Sequence, residues 1–122
     1  MVQPNYVLLY VDDIPTSLAF YTDLLGRPPA LASPSFASFK LDGGFEVAIY
    51  SRAKIDPPVV SHGISAELGF TVPDGAALHE LHQQWVKKGI RIIMEPQKMP
   101  FGGTHFMAED PSGHRLRVGT PD

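Results

Sequence analysis

The sequence predicts an α+β fold in which one βαβββ module occurs twice. Two segments with helical periodicity each follow a short β-branched strand, and three further strand-like segments follow each helix. Self-similarity at about half the chain length indicates an internal duplication. We therefore expect a single domain over residues 1–122, with module one at about 4–53, a connector at 54–63 and module two at about 64–120.

The first module begins with an aromatic and β-branched run that predicts a strand. Asp12, Asp13 and Pro15 are typical of a helix start, and Gly26 followed by two prolines predicts its end. The Asp-Gly-Gly sequence at 42–44 indicates a turn between two strands. The strands of this module are expected at 6–11, near Ala30, at 35–41 and at 45–50.

The second module repeats this order after a connector that contains Pro57 and Pro58. A helix is predicted at 76–88 because Leu78, Leu81 and Trp85 fall on one face of it. Turns at 100–103 and 111–113 separate the later strands. The strands of this module are expected at 66–72, 91–94, 104–109 and 115–118.

Composition excludes several classes of partner. The formal charge is −3 with acidic and basic residues intermixed, so there is no basic surface for a nucleic acid. No apolar run is long enough to span a membrane. The chain has no cysteine, which excludes disulfides and thiolate chemistry. We expect a soluble, cytoplasmic protein whose partner is a small molecule.

Motifs at both ends of the chain carry a family resemblance. The segment SLAFYTDLLG after a strand, the PFGG loop and the closing DPSGHRLRV are similar to those of the vicinal-oxygen-chelate superfamily, which includes glyoxalases, bleomycin-resistance proteins and dioxygenases. The resemblance covers essentially the whole chain. It implies two curved mixed sheets around a cavity lined by the first and last strands of each module. It also implies a homodimer.

The same resemblance implies four places for metal ligands in the superfamily's enzymes. In this sequence those places hold Tyr6, Ala48 (or Glu46 if the strand is offset by two), Glu67 and Arg117. A permanently charged guanidinium cannot bind a metal, and a metal site needs three or four oxygen or nitrogen ligands. We therefore expect no metal and no cofactor.

Glu67 and Arg117 are expected to face each other, because the first and last strands of a module are neighbours in folds of this type. One hypothesis is that the pair anchors a ligand through charged hydrogen bonds. The alternative is that the two side chains satisfy only each other across the strands.

The remaining candidates for ligand binding are mostly aromatic or lie on the same strand faces. Without a metal, a ligand has to be held by shape and stacking. By the period of two, Tyr6, Leu8 and Tyr10 share one strand face. The other predicted ligand-binding residues are Phe39, Glu46, Ala48, Tyr50, Phe101 and His105.

The other histidines and two large aromatic residues are assigned to structural roles. His79 and His82 are expected on a solvated helix edge, His114 at a turn and His62 in the connector. Phe20 and Trp85 fall on apolar helix stripes and are expected in the core.

The favoured function is metal-independent binding of a planar or aromatic antibiotic or metabolite, by sequestration. The resemblance leaves open a glyoxalase-like lyase or isomerase and a ring-cleaving dioxygenase. A metal-free variant would use Glu67 as a base, with Tyr6 or His105 supporting the developing charge. A regulatory module without a pocket is a third alternative. The missing ligand set favours binding over catalysis.

Overall fold

The computed structural model describes residues 2–59, 65–109 and 114–121, which form two compact units, Asn5–Ala66 and Glu67–Asp122 with Met1–Pro4. The predicted order of strand, helix and three strands occurs in each, which confirms the α+β class and the duplicated module. The elements are β1 (Tyr6–Val11), α1 (Ile14–Leu25), β2 (Leu31–Ala32), β3 (Phe36–Lys40), β4 (Glu46–Ser51), a 3-10 turn (Arg52–Lys54), β5 (Ala66–Thr71), α2 (Gly75–Lys87), β6 (Arg91–Lys98), β7 (Thr104–Glu109) and β8 (Arg115–Gly119).

The first module has a mixed sheet in the order β2-β3-β4-β1, with β1 parallel to β4 and the other pairs antiparallel. One face of the sheet packs on α1 through Ile14, Ala37 and Ile49. The helix begins as predicted, because the Asp13 side chain accepts a hydrogen bond from the Thr16 backbone N–H. It ends at Gly26, whose φ of 67° is the left-handed conformation that glycine adopts without a steric penalty.

The second module has the equivalent sheet, β5-β8-β7-β6, in which β5 is parallel to β8. Asp74 caps α2 by accepting a hydrogen bond from the Ala77 backbone N–H, so both helices begin on an aspartate. Trp85 packs edge-on against Phe70 and Phe106 with ring centroids 5.7 and 5.4 Å apart. The prediction that Trp85 belongs to the core is confirmed.

Three expectations about these elements are corrected. The strand predicted at 91–94 continues to Lys98, because Pro96 lies in an edge strand with two register shifts, where a missing N–H costs no ladder bond. Phe20 is 58% exposed and does not belong to the core. His82 is largely buried against the Phe106 ring and lies 3.0 Å from a Glu95 carboxylate oxygen, so it is not on a solvated edge.

Some expectations remain untested by these residues. His62, and the turn predicted at 111–113, lie outside the described part of the chain. Whether residues 1–122 form a single domain also stays a prediction. In the described ranges, neither helix has the length and apolar character that crossing a membrane requires.

Candidate functional site

Each module has one sheet face covered by its helix and one that we call the helix-free face. In the second module the core residues Phe106, Leu116 and Val118 lie on the helix side. Because side chains alternate along a strand, His105 and Arg117 lie on the helix-free face. Leu116 and Val118 pack with residues of α2 on that side of the sheet.

Glu67 and Arg117 form a buried ion pair on this face, as predicted. Arg117 Nε donates to Glu67 Oε1 at 2.7 Å, and Arg117 Nη2 donates to Oε2 at 3.2 Å. Glu67 is 1% exposed and Arg117 is 6% exposed. The Cα partner of Arg117 is Gly69, so no side chain stands directly opposite Arg117 on β5, and Glu67 lies two residues earlier on the same strand face. Two parallel charge-assisted hydrogen bonds fix the plane of the guanidinium.

His105 is joined to the same guanidinium. Its Nδ1 lies 3.2 Å from Arg117 Nη1. A guanidinium can only donate hydrogen bonds, so Nδ1 accepts, and the proton of the neutral ring is on Nε2. Burial lowers the pKa of His105 to about 4, and the positive charge of Arg117 acts in the same direction, whereas Glu67 opposes it. His105 is therefore a neutral imidazole at physiological pH, with a defined tautomer.

Gly119 accommodates the His105 ring. The two residues are partners in the antiparallel pairing of β7 with β8. A Cβ atom at position 119 would lie 2.6 Å from His105 Nε2 and 2.8 Å from two ring carbons, which is closer than such atoms approach. The sequence reasoning missed Gly119. The alternating Arg-Leu-Arg-Val-Gly run is the signal that could have identified it, since it places Gly119 on the same face as Arg117.

Phe101 is the exposed aromatic residue beside His105. Its ring contacts His105 edge-on at a centroid distance of 5.3 Å, and the side chain is 65% exposed. The loop that carries it is closed by hydrogen bonds between Met99 and both Gly102 and Gly103. Both glycines have positive φ, of 106° and 77°. Four predicted ligand-binding residues are thus brought together, and we call them the His105 cluster: Glu67, Phe101, His105 and Arg117.

The buried part of the helix-free face of the first module is mostly apolar, where the second has a buried ion pair. Parallel pairing of β1 with β4 places Tyr6 beside Glu46, Leu8 beside Ala48 and Tyr10 beside Tyr50. The predicted grouping of these side chains agrees with a core cluster of this module that does not include α1. That cluster contains Tyr6, Leu8, Tyr10, Phe36, Ala48, Tyr50, Ile55 and Val59.

Phe39 and Glu46 differ from the other predicted contacts of this module. Phe39 pairs with Val47 and alternates with Ser38, so it lies on the helix side of the sheet and is fully buried. The structure does not bring it together with Tyr6 and Ala48. Glu46 is partly exposed at the start of β4, across from Lys40. Ligand contact by these residues stays a prediction.

The residues at the places implied for a metal do not fit one. Both carboxylate oxygens of Glu67 accept hydrogen bonds from Arg117, and the guanidinium occupies the position of a ligand. Within ranges 2–59, 65–109 and 114–121, no three His, Asp or Glu side chains are grouped so that they could hold a metal ion. We therefore derive no reaction step through a metal.

The family model of the Glyoxalase/Bleomycin resistance protein/Dioxygenase superfamily matches residues 3–118. The chain belongs to this superfamily, as the sequence motifs indicate.

A curated relative and a solved structure each share more than 30% of their residues with this chain over nearly its whole length. The phenazine antibiotic resistance protein EhpR of Enterobacter agglomerans is 32% identical over 120 residues, covering 96% of this chain and 91% of the relative. A solved structure described as an NAD-dependent benzaldehyde dehydrogenase from Legionella pneumophila is 37% identical, with a TM-score of 0.86 and coverage of 96% and 98%.

A more distant solved structure agrees on the fold alone. It is a superfamily member from Vibrio splendidus 12B01, 21% identical, with a TM-score of 0.64 and coverage of 98% of this chain and 99% of that one.

Proposed function

We propose that this protein binds and sequesters a planar aromatic small molecule of the phenazine type. The observation that carries the proposal is the His105 cluster. It combines an exposed aromatic ring, Phe101, with a neutral imidazole and a buried guanidinium on one sheet face. Planar ligands are held by stacking on aromatic rings and oriented by a small number of fixed polar groups.

Similarity to a resistance protein supports the ligand class. The relative at 32% identity is a phenazine antibiotic resistance protein, and the match covers nearly all of both chains. A phenazine is a planar aromatic system, which agrees with the prediction from the aromatic residues. Sequestration requires only affinity, so it needs neither a metal nor a reactive side chain.

The arrangement of Glu67 favours binding over acid–base catalysis. A catalytic base needs a carboxylate oxygen that can take a proton from the substrate. Both oxygens of Glu67 already accept hydrogen bonds from Arg117, and protonation would cost that buried pair its attraction. Glu67 is therefore better suited to fix the orientation of Arg117 than to remove a proton.

The test is calorimetric titration of the protein with phenazine-1-carboxylate. We expect saturable binding, and we expect Phe101→Ala to weaken it by roughly tenfold, since aromatic stacking contributes about 0.5–1.5 kcal/mol beyond area burial. Phe20→Ala is the matched control, because Phe20 is also an exposed phenylalanine but lies on α1. The Phe20→Ala variant should bind phenazine-1-carboxylate with unchanged affinity. Absence of binding to the unmodified protein would reject the proposal.

NAD and benzaldehyde form a second arm of this titration. The dehydrogenase description of the 37% identical structure makes them the relevant alternative ligands. Binding of NAD, together with NADH formation in the presence of benzaldehyde, would favour an enzyme over a binding protein.

The anchor role of the ion pair has its own test. Affinity for phenazine-1-carboxylate is measured in Arg117→Met and in Glu67→Gln, and unchanged binding in both would exclude that role. Tyr6→Ala tests whether the helix-free face of the first module also contacts the ligand.

The homodimer and the cytoplasmic location stay predictions. Sedimentation velocity tests the first, and cell fractionation tests the second.

A further inference from the structure

We infer that His105, held over Gly119, is a fixed hydrogen-bond donor that selects planar ligands with an unprotonated acceptor atom in the ring system. This inference rests on the proposed function and specifies the ligand chemistry of the same site. The acceptor would be a pyrazine-type ring nitrogen or an equivalent in-plane oxygen. Three features of the second module lead to it.

The first feature is the tautomer of His105. Glu67 holds the guanidinium of Arg117 by two hydrogen bonds, and Arg117 in turn donates to His105 Nδ1. Each hydrogen bond in this series has a fixed direction, because Arg117 can only donate. His105 Nε2 therefore carries the proton, and the low pKa of the ring keeps the imidazole from also carrying a charge.

The second feature is the position of the ring. Gly119 allows the imidazole to lie directly against β8, with Nε2 over the glycine on the helix-free face. The equivalent place in the first module is held by Tyr50, which pairs with Phe36 as Gly119 pairs with His105. There the two rings pack against each other at 6.2 Å, so that module has no room for a ring lying flat on the strand.

The third feature is the neighbouring aromatic ring. The Phe101 and His105 rings are close to perpendicular, at 82° with centroids 5.3 Å apart, so a planar molecule stacked on Phe101 also lies close to perpendicular to the imidazole. With the two planes crossed in this way, the Nε2–H of His105 reaches an in-plane acceptor of the ligand along the line where the planes meet. A neutral donor avoids charge repulsion with a cationic ligand, but it requires the acceptor lone pair to be unprotonated.

The experiment compares two ligands of the same shape, phenazine-1-carboxylate and anthracene-1-carboxylate, which differ by the two ring nitrogens. We expect the unmodified protein to prefer the phenazine by roughly tenfold, the usual effect of one well-formed neutral hydrogen bond. His105→Phe keeps a ring of similar shape without the N–H, and it should bind both molecules with equal affinity. His79→Phe, an exposed histidine on α2, should keep the preference.

Gly119→Ala tests the position of the ring independently. Its Cβ would displace His105, so the preference for phenazine should be lost while stacking remains. Gly75→Ala is the matched control, because Gly75 has an ordinary φ and a Cβ there would meet no atom within 4 Å. ¹⁵N NMR of the ligand-free protein should show His105 protonated on Nε2, and should show this order disturbed in Gly119→Ala but not in Gly75→Ala.

The outcomes distinguish failure of the inference about His105 from failure of the proposed function. Equal affinity of the unmodified protein for both carboxylates would overturn the inference and leave the proposed function in place. A His105 ring protonated on Nδ1 would also overturn it, even if phenazine binds. Failure of both molecules to bind would overturn the proposed function and the inference with it.

Discussion

The two modules have the same backbone plan and opposite chemistry on their helix-free faces. Tyr6 and Ala48 stand in the first module where Glu67 and Arg117 stand in the second, since β1 pairs with β4 as β5 pairs with β8. The first face is held by contacts among aromatic and aliphatic side chains. The second contains a buried ion pair and a histidine bonded to it.

This difference teaches that the fold determines where a side chain lies but not what it contributes. Apolar burial stabilises the first face with little dependence on any one partner. The second face depends on specific partners, because a buried charge is tolerated only while it is paired and hydrogen-bonded. Mutations and pH should therefore affect the two faces differently.

The largest expected effect is the removal of one partner of the ion pair. Glu67→Leu leaves the Arg117 guanidinium buried without its carboxylate, which we expect to reduce the free energy of unfolding by about 3–5 kcal/mol. Urea denaturation monitored by Trp85 fluorescence measures the change.

The control for this prediction is the double variant Glu67→Leu with Arg117→Met. An apolar pair of similar volume removes both charges of the ion pair, so most of the lost stability should return. If the double variant were as unstable as Glu67→Leu alone, the loss would come from packing, and the proposed contrast between the faces would fail.

The next effect concerns the first face. Leu8 is buried between Tyr6 and Tyr10, and Leu8→Ala should cost about 3 kcal/mol through lost burial and the cavity that remains. Leu31→Ala, at an exposed leucine of the same module, should change the free energy of unfolding very little. A cost below about 1 kcal/mol for Leu8→Ala would mean that this face is not packed as a core.

A smaller effect is the pH dependence of the second face. The folded pKa of His105, about 4, lies below its ordinary value of 6.5, so the unfolded chain takes up this proton first. The stabilisation is complete above pH 6.5 and is lost as the pH falls toward 4. At about 1.36 kcal/mol per pH unit, the interval from 6.5 to about 4 corresponds to roughly 3.4 kcal/mol, and we expect about 2 kcal/mol because the ring is partly exposed.

His105→Phe isolates this contribution from the carboxylates that titrate in the same range. The difference in unfolding free energy between the unmodified protein and this variant should change between pH 7 and pH 4. A constant difference across that range would show that His105 is not a buried neutral group.

The smallest effect concerns what the modules share. Asp74→Ala removes the side chain that caps α2 and should cost about 1 kcal/mol. Asp13→Ala removes the equivalent cap of α1 and should destabilise in the same direction. Both variants should leave phenazine binding unchanged, because the caps are not part of the His105 cluster. A change in affinity with either variant would contradict the view that the helix caps act on stability alone and that the helix-free faces determine ligand binding.

Much of the fold could be predicted from local patterns. The helix start at Asp13 and the helix end at Gly26 follow from capping chemistry that involves neighbouring residues only. The continuation of β6 through Pro96 could not, because it depends on the strand lying at an edge, which is a property of the sheet. Phe20 shows the same limit. Helical periodicity predicts which side chains share one face of α1, but not whether another part of the chain packs on that face.

The site could be predicted in part for a related reason. Period-two alternation and the family resemblance placed Glu67 opposite Arg117, and the structure confirms that contact. They could not show that His105 Nδ1 bonds to Arg117. Alternation predicts the sheet face of a side chain but not the direction in which its ring atoms point. Nor could they identify Gly119, whose role is the absence of atoms where the imidazole lies.

The ends of the two sheets bear on how copies of this chain could associate. One edge strand of the first sheet, β2, has two residues, and one edge strand of the second, β6, contains a proline and two register shifts. A strand from another molecule would find in neither an extended ladder of unpaired N–H and C=O groups to join. Growth by strand addition, the route to fibres, is therefore unfavourable at β2 and β6.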